Sequence, residues 1–279
     1  MSRLPRSRLR WRDRLALLPL LAVALVFAYP FAWMMLAVFK SNPEIFNPTR
    51  FWPATWQFDP VKRLVTGEWF PFWRVFFNSL LIAALQALLA TVVTSLAGYG
   101  FATARGWVLR WIFPVALLLI VLPPAAMAIP VFSWLGDLGL FNRVSGVILP
   151  GAVSGLGAIW FTQVFRQVPA ALREAARLDG AGEWRVWWTL LPMLMPALVS
   201  YGMIHFILAW HDHLLPMLIL SSPEKQTLPV ALASLYGSSL RYPYAALMAA
   251  SVISILPTLL LFAACFRRFK TALADVLMH

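Results

Sequence analysis

The feature that most constrains this chain is a series of six apolar stretches, each long enough for a helix to cross a lipid bilayer. A spanning helix needs about 20 mainly apolar residues, and the stretches cover 15–39, 75–101, 108–132, 144–165, 197–220 and 244–266. Since 61% of the 279 residues are apolar and only 12% are charged, the composition excludes an ordinary soluble domain, in which about 25% are charged. We therefore expect an all-α, polytopic membrane protein with six transmembrane helices.

The basic residues predict the orientation of these helices. Six spans place both termini on one side, and 15 of the 23 Lys and Arg residues fall on that side, six of them before residue 15. Lys and Arg accumulate on the cytoplasmic side of membrane proteins. We therefore expect cytoplasmic N- and C-termini, and we attribute the net charge of +12 to topology and not to nucleic-acid binding.

The expected organisation has five parts. They are a cytoplasmic basic N-terminus (1–14), a first transmembrane helix (15–39), an external loop (40–74), a five-helix core (75–266) and a cytoplasmic tail (267–279). Basic residues before an apolar run also occur in signal peptides, but this run is too long for a cleaved signal. The first span is therefore predicted to be retained.

Several features of the apolar stretches leave two readings open. Four prolines in the third stretch predict kinks, which line a pathway in some proteins and serve packing in others. Gly151 and Gly155 form a G-x-x-x-G pattern, which favours close helix packing. The loop 40–74 is rich in proline and aromatic residues, which suits an external flap near the membrane surface; an interfacial aromatic belt and a partner-docking role both remain open.

The segment 166–192, between the fourth and fifth stretches, predicts a cytoplasmic helical hairpin. Pro169 suits the first turn of a helix, and the residues from Ala170 to Asp179 are mostly strong helix formers. Gly180 is a suitable stop. The spacing of three residues predicts a small apolar face on this helix: Leu172, Ala175 and Ala176. A second short helix is expected over 183–190, with three indoles on one face: Trp184, Trp187 and Trp188.

Asp212 is the single acidic residue inside the predicted spans, where a carboxylate is costly. Two readings remain open: it caps a broken helix or is wetted at an external end, or it lines the pathway together with Trp210 and His213. His211 and His213 flank it, but successive helical positions point about 100° apart and cannot converge on one ion. No metal site is predicted.

A family resemblance rests mainly on the hairpin. Glu174-Ala-Ala-x-x-x-Gly180, followed by Leu190-Leu-Pro192, resembles the EAA loop in permease subunits of ATP-binding-cassette (ABC) importers, and the fuller string is similar to the carbohydrate-uptake branch. Weaker matches begin at Asn78, Trp210, Thr227 and Ala249. The resemblance implies a type I importer permease fold in the bacterial inner membrane, with the loop docked on an ATPase subunit.

The resemblance also implies site residues and partners. The coupling residues would be Arg173, Glu174, Ala175, Ala176, Asp179 and Gly180. Contacts with an external solute-binding protein would come from Tyr236, Gly237 and Ser238, although composition alone describes only a polar loop there. The other implied partners are a second, non-identical permease subunit, two ATP-binding subunits and membrane lipid.

The sequence lacks a nucleotide site of its own, since a P-loop requires Gly-x-x-x-x-Gly-Lys-Ser/Thr and none of the four lysines follows a glycine. The chain is therefore expected to be a non-enzymatic transport subunit that holds no cofactor, with ATP and Mg²⁺ bound by the partner ATPase subunits. The alternatives are a permease of another ABC importer branch (amino acid, phosphate ester or metal), an ion-coupled secondary transporter or a membrane enzyme. The last two require clustered ionisable residues that the predicted spans lack.

Overall fold

The computed structural model describes residues 11–47, 49–103, 106–237 and 244–277. Within these residues every regular element is a helix, which confirms the all-α prediction. The helices are α1 (Trp11–Ala37), α2 (Asn42–Ile45), α3 (Asp59–Val65), α4 (Phe72–Thr103), α5 (Trp107–Val121), α6 (Pro124–Asp137), α7 (Ser145–Gly151), α8 (Gly155–Arg166), α9 (Ala170–Leu178), α10 (Glu183–Leu190), α11 (Met195–His211), α12 (Leu214–Ile219), α13 (Leu228–Gly237) and α14 (Tyr244–Leu277).

Contacts among the described residues divide the chain into two compact units. The first lies within Met1–Thr66 and Ser239–Ile253, and the second within Gly67–Ser238 and Ser254–His279. In the first unit the end of α1 packs on α2 and on the start of α14, around Ala37, Ile45 and Ala245. In the second unit α4 is the central helix and packs most extensively on α8 and α11.

Three helices are long and apolar enough to cross a membrane unaided, over Leu18–Ala37, Phe72–Thr103 and Tyr244–Cys265. Two bent pairs meet the same criterion jointly: α7 with α8, bent by 42°, and α10 with α11, bent by 85°. The described residues thus contain three candidate spans, or up to five if each bent pair is one span. The count of six stays a prediction.

The third, fourth and fifth predicted stretches are each divided into two helices. In the third, the chain is extended at Leu122 and Pro123, between α5 and α6, because a proline disfavours helical backbone at the residue before it. In the fourth, Gly151 ends α7 and Gly155 begins α8. These two glycines flank a break and do not form the common helix face that G-x-x-x-G packing needs.

Small residues allow α4, α8 and α11 to approach closely. A Cβ on Gly98 of α4 would lie 2.5 Å from the Phe161 Cβ of α8, and a Cβ on Gly157 of α8 would overlap the Tyr201 ring of α11. Interiors at this density do not absorb an added methyl group without displacement. Close packing of the three helices provides the rigid base from which the hairpin α9–α10 projects.

Candidate coupling site

The predicted coupling helix is present, as α9 over Ala170–Leu178. Pro169 has extended ψ (133°) and is the N-cap, one position before the predicted first turn. Asp179 is the C-cap and Gly180 adopts φ +77°. The prediction from the helix formers and the glycine stop is therefore confirmed to within one residue at each end.

The turn after α9 is a Schellman motif, which requires left-handed backbone at Gly180. The Gly180 N–H donates to the Arg177 carbonyl (3.0 Å) and the Ala181 N–H donates to the Ala176 carbonyl (3.1 Å), which is the bonding pattern of that motif. Ala176 and Ala181 both pack against a buried cluster that includes Phe165 and Trp187. The turn therefore fixes the direction in which the chain returns toward the core.

The predicted apolar face of α9 is divided between two directions. Ala176 is partly buried against the chain's own core, whereas Leu172 and Ala175 are exposed. Leu178, which the sequence analysis did not single out, is 88% exposed. Ala171 lies four residues before Ala175 and seven before Leu178, so these three residues share one side of the helix. We call the exposed set Ala171, Leu172, Ala175 and Leu178 the outer stripe.

The charged residues of α9 have different roles. Arg173 points inward and donates from Nη1 to the Phe165 carbonyl at the end of α8 (3.3 Å). Glu174 is exposed and lies next to the outer stripe, on the side of Leu178. Arg177 binds Glu183, the first residue of α10, with Nε–Oε1 at 2.9 Å and Nη2–Oε2 at 3.1 Å.

Glu183 also joins the hairpin to the central helix. The Tyr99 hydroxyl, near the end of α4, donates to Glu183 Oε2 at 2.6 Å. Glu183 lies in the segment 166–192, outside the predicted spans. The Arg177 guanidinium, followed by the Tyr99 hydroxyl, lowers the pKa of the Glu183 carboxyl. A carboxylate at the start of α10 is also stabilised by the helix dipole.

The three indoles of α10, predicted to share one face, differ in exposure. Trp187 is 2% exposed and packs inward with Val186 and Leu190, whereas Trp184 and Trp188 are each 63% exposed. The spacing of three and four residues would place all three indoles on one side of the helix, but the buried cluster that includes Phe165 covers Trp187 alone. Trp187 anchors α10 in the cluster shared with Phe165, and the other two indoles face outward.

Two of the three candidates for the translocation path, Trp210 and Asp212, have partners within the chain. Trp210 is 3% exposed, donates from Nε1 to the Ser254 carbonyl (3.1 Å) and stacks on Phe206. Asp212 ends α11 with extended ψ (128°), and its Oδ1 accepts the Leu214 N–H (3.1 Å). The capping reading of Asp212 is thus the one that the structure favours, and it explains why the fifth predicted stretch is broken. His213 is exposed.

The remaining candidates lie partly outside the described residues. Tyr236 and Gly237 belong to α13, but the side chain of Tyr236 is not described, and neither is Ser238. The nearby loop is fixed to α4: Asn78 donates from Nδ2 to the Glu224 carbonyl (2.8 Å), and Leu228 donates its N–H to Ser79 Oγ (2.6 Å). Among the described residues no three His, Cys, Asp or Glu residues form a group that could hold a metal ion.

Sequence reasoning missed three functional candidates: Tyr99, Leu178 and Glu183. Leu178 could have been found, because it follows Ala171 by seven residues and Ala175 by three. Glu183 occupies the first turn of a predicted helix, where acidic residues are common. The pairing of Tyr99 with Glu183 joins residues 84 positions apart, and no local pattern predicts it.

Apolar candidate spans, a three-helix core and a helical hairpin are the features of a polytopic membrane protein. Comparison with known proteins gives the family. Residues 90–273 match the model for "Binding-protein-dependent transport system inner membrane component", and the chain belongs to this family.

Individual relatives agree with this assignment. The chain is similar to the lactose transport system permease protein LacG of Rhizobium radiobacter, with 31% identity over 86% of this chain and 87% of that protein. It is also similar to the diacetylchitobiose uptake system permease protein NgcG of Streptomyces coelicolor, with 30% identity over 88% and 82%. A solved bacterial ABC transporter involved in import of the polysaccharide alginate shares the fold, with TM-score 0.80, 21% identity and coverage of 96% of this chain and 100% of that chain.

Proposed function

We propose that this chain is one permease subunit of a carbohydrate importer, in which ATP hydrolysis on separate subunits drives solute across the bacterial inner membrane. The observation that carries the proposal is the hairpin α9–α10, which exposes an apolar stripe while being bonded to the ends of α4 and α8. Support for a carbohydrate comes from relatives named for lactose, diacetylchitobiose and trehalose transport.

The outer stripe is the surface that docks in a cleft of an ATPase subunit. Its alanines permit close approach, and exposed Leu172 and Leu178 supply apolar area; a helix with apolar residues at this spacing suits a hydrophobic groove. Glu174 makes the polar contact at the border of the stripe. Asp179 and Gly180 form the turn that presents it.

Movement of α9 is transmitted to the membrane helices by two links. Arg173 with Ala176 connects α9 to the end of α8, and Arg177 connects it through Glu183 to Tyr99 of α4. Because α4 and α8 pack closely at Gly98 and Phe161, they move together and not past one another. Closure of the ATPase pair therefore displaces a rigid group of helices, which is the physical requirement for alternating access.

The complete importer contains a second, non-identical permease subunit, two ATP-binding subunits and an external solute-binding protein. Both termini of this chain are cytoplasmic, so the hairpin faces the ATPase subunits. ATP and Mg²⁺ are held on those subunits, because the sequence offers no P-loop. Tyr236, Gly237 and Ser238 contact the binding protein, and His213 is the best-exposed candidate for the solute path.

Disulfide cross-linking tests the docking surface directly. In a Cys265→Ala background, Ala175→Cys and Leu178→Cys variants are expressed with the ATPase subunits, each of which carries a single cysteine in its cleft. Thr189→Cys, exposed on α10 of the same hairpin, is the matched control. We expect cross-links at positions 175 and 178 and none at 189. Co-purification of the ATPase without cross-links at 175 or 178 contradicts docking through the outer stripe.

The class of solute is tested separately by uptake. Cells that express the complete importer are supplied with labelled oligosaccharides, amino acids and phosphate esters. We expect accumulation of a sugar that depends on this chain. Accumulation of an amino acid or a phosphate ester instead assigns the chain to another branch of the same family and overturns the carbohydrate assignment alone.

A further inference from the structure

The segment that follows α1 exposes an unusual number of large aromatic side chains. We call residues 42–47 and 49–58 the aromatic flap. Four of its aromatic residues are between 52% and 65% exposed: Phe46, Trp52, Trp56 and Phe58. Proteins in water rarely leave such apolar clusters uncovered, so this surface requires an apolar or interfacial partner.

Part of the flap lies beside the membrane-crossing part of α1. The Phe51 ring stacks on the Tyr29 ring, with centroids 5.7 Å apart and an interplanar angle of 25°. Tyr29 precedes Ala37, the last residue of the candidate span, by eight residues, or about 12 Å along a helix. Phe39 contacts Trp56 and Phe58, both with centroids 5.3 Å apart. The Tyr29 contact places Phe51 within the outer half of the bilayer, whereas the Phe39 contacts place Trp56 and Phe58 just past the end of the span.

Irregular backbone is tolerated at that depth only where its polar groups are satisfied, and the flap meets this condition with its own side chains. Glu44 accepts the Ser41 and Ala54 N–H groups (3.0 and 2.9 Å). Lys40 has no exposed surface and donates from Nζ to the Arg50 carbonyl (2.6 Å). The polar groups therefore turn inward, and the aromatic rings turn outward.

The same region contains a groove and a cation suited to a phospholipid. An open groove of about 440 Å³ lies between α1 and α2, lined by Tyr29, Pro30, Trp33, Ile45 and Phe46. Its apolar and aromatic lining has room for part of an acyl chain. Arg50, adjacent to Phe51, lies 3.8 Å from Glu44 Oε1 through its Nη1 atom, but its side chain is 56% exposed. Its remaining donors can reach a lipid phosphate, since long basic side chains extend toward the headgroups.

We propose that the aromatic flap is inserted into one leaflet at the boundary between headgroups and acyl chains, with phospholipid as its partner. In the proposed orientation this is the external leaflet. The depth set by the Tyr29–Phe51 stack favours lipid over the external solute-binding protein, because a loop that docks on that protein would extend past the end of the helix into water. The second permease subunit is the competing partner at this depth, and the experiment below distinguishes it from lipid. The insertion fixes α1 in the membrane and does not depend on which solute the importer carries.

Site-directed spin labelling in phospholipid nanodiscs tests the proposal. In the Cys265→Ala background, labels are attached at Phe46→Cys, Trp52→Cys and, as a matched control, Asp59→Cys, whose exposed side chain lies just after the flap. Collision with oxygen, which partitions into lipid, is compared with collision with a water-soluble nickel complex. We expect a several-fold higher oxygen-to-nickel ratio at positions 46 and 52 than at 59.

A further substitution connects this result to the stacked pair. Phe51→Ala, combined with the label at position 52, is expected to lower the oxygen-to-nickel ratio because the flap loses its contact with Tyr29. Nickel access at 46 and 52 equal to that at 59 overturns the proposal. Protection from both reagents, seen only when the partner subunits are added, assigns the surface to a protein and also overturns it. Size-exclusion profiles identify variants that fail to fold, and the two label positions provide independent readouts.

Discussion

The Tyr99 hydroxyl, near the end of α4, lies 2.6 Å from Glu183 Oε2, at the start of α10. The same carboxylate binds both the Nε and Nη2 atoms of Arg177 on α9. One side chain thus connects the proposed docking helix, the returning helix of the hairpin and the central membrane helix. Such a junction can transmit a displacement without large changes in backbone conformation.

Glu183→Gln is expected to reduce sugar uptake per ATP hydrolysed while the complex still assembles. The Arg177–Glu183 pair is about half exposed, and exposed pairs contribute at most about 1 kcal/mol to folding, so the variant should remain folded. The measurement is uptake and ATP hydrolysis in the same proteoliposomes. The control is Asp59→Asn, which removes another exposed ion pair; the charge-swapped Arg177→Glu/Glu183→Arg variant should recover part of the coupling. Unchanged coupling in Glu183→Gln would show that the junction is not a transmission link.

Gly180→Ala should weaken the hairpin through backbone strain alone. Gly180 has φ +77°, and a Cβ there would meet no atom within 4 Å, so the expected cost is the roughly 1–2 kcal/mol of left-handed backbone for a residue with a Cβ. Gly180→Asn should be milder, because asparagine tolerates this conformation better. The measurement is the coupling ratio, with membrane insertion monitored by the fluorescence of a fused reporter. Equal behaviour of the two variants would contradict a strain mechanism.

Gly98→Ala is expected to destabilise the three-helix core. The added Cβ would lie 2.5 Å from the Phe161 Cβ and 2.7 Å from the Phe161 backbone carbon, and overpacking of this kind costs about 1–3 kcal/mol. Gly136→Ala in α6 is the matched control, since a Cβ there meets nothing within 4 Å. Relative to the unsubstituted protein, the melting temperature in detergent should fall for Gly98→Ala and remain unchanged for Gly136→Ala. A fall of the same size in both would show that α4 and α8 are not closely packed at Gly98.

The aromatic flap should loosen in acid. The Ser41 and Ala54 N–H groups lower the pKa of Glu44 below its usual 4.5. A lowered pKa in the folded state means that the ionised carboxylate stabilises the flap above about pH 4.5, and that this contribution is lost as the pH falls through the lowered pKa. The mobility of a spin label at Trp52→Cys should therefore rise as the pH falls below 4.5. Glu44→Gln should remove this pH dependence, and its persistence in that variant would assign the transition to another group.

The all-helical fold and the hairpin could be predicted because their signals are local. Apolar length predicts spans, and the helix formers between Pro169 and Gly180 predict α9 to within a residue at each end. The prolines of the third stretch predicted kinks, and a broken helix was one of two readings at Asp212, but hydropathy alone does not locate the few extended residues that divide each stretch. At Asp212 the signal was local, since an Asp just before a helix often accepts a backbone N–H of its first turn, as Asp212 does from Leu214.

Contacts between distant segments could not be predicted from one sequence. The inward direction of Trp187 depends on where α8 and α4 lie, and the Tyr99–Glu183 bond depends on the packing of helices 84 residues apart. The Tyr29–Phe51 stack likewise requires the flap to return along α1, which the composition of the loop does not specify. These tertiary contacts, more than the motifs, distinguish the outer stripe from the residues that anchor the hairpin.

The most direct measurement of the central claim is sugar uptake into proteoliposomes that contain either this chain alone or the complete complex with its ATPase subunits. The chain alone should carry no sugar, and the complex should accumulate it only when ATP and Mg²⁺ are supplied on the side that faces α9. Sugar transport by the isolated chain, or by the complex at the same rate without ATP, would contradict the account.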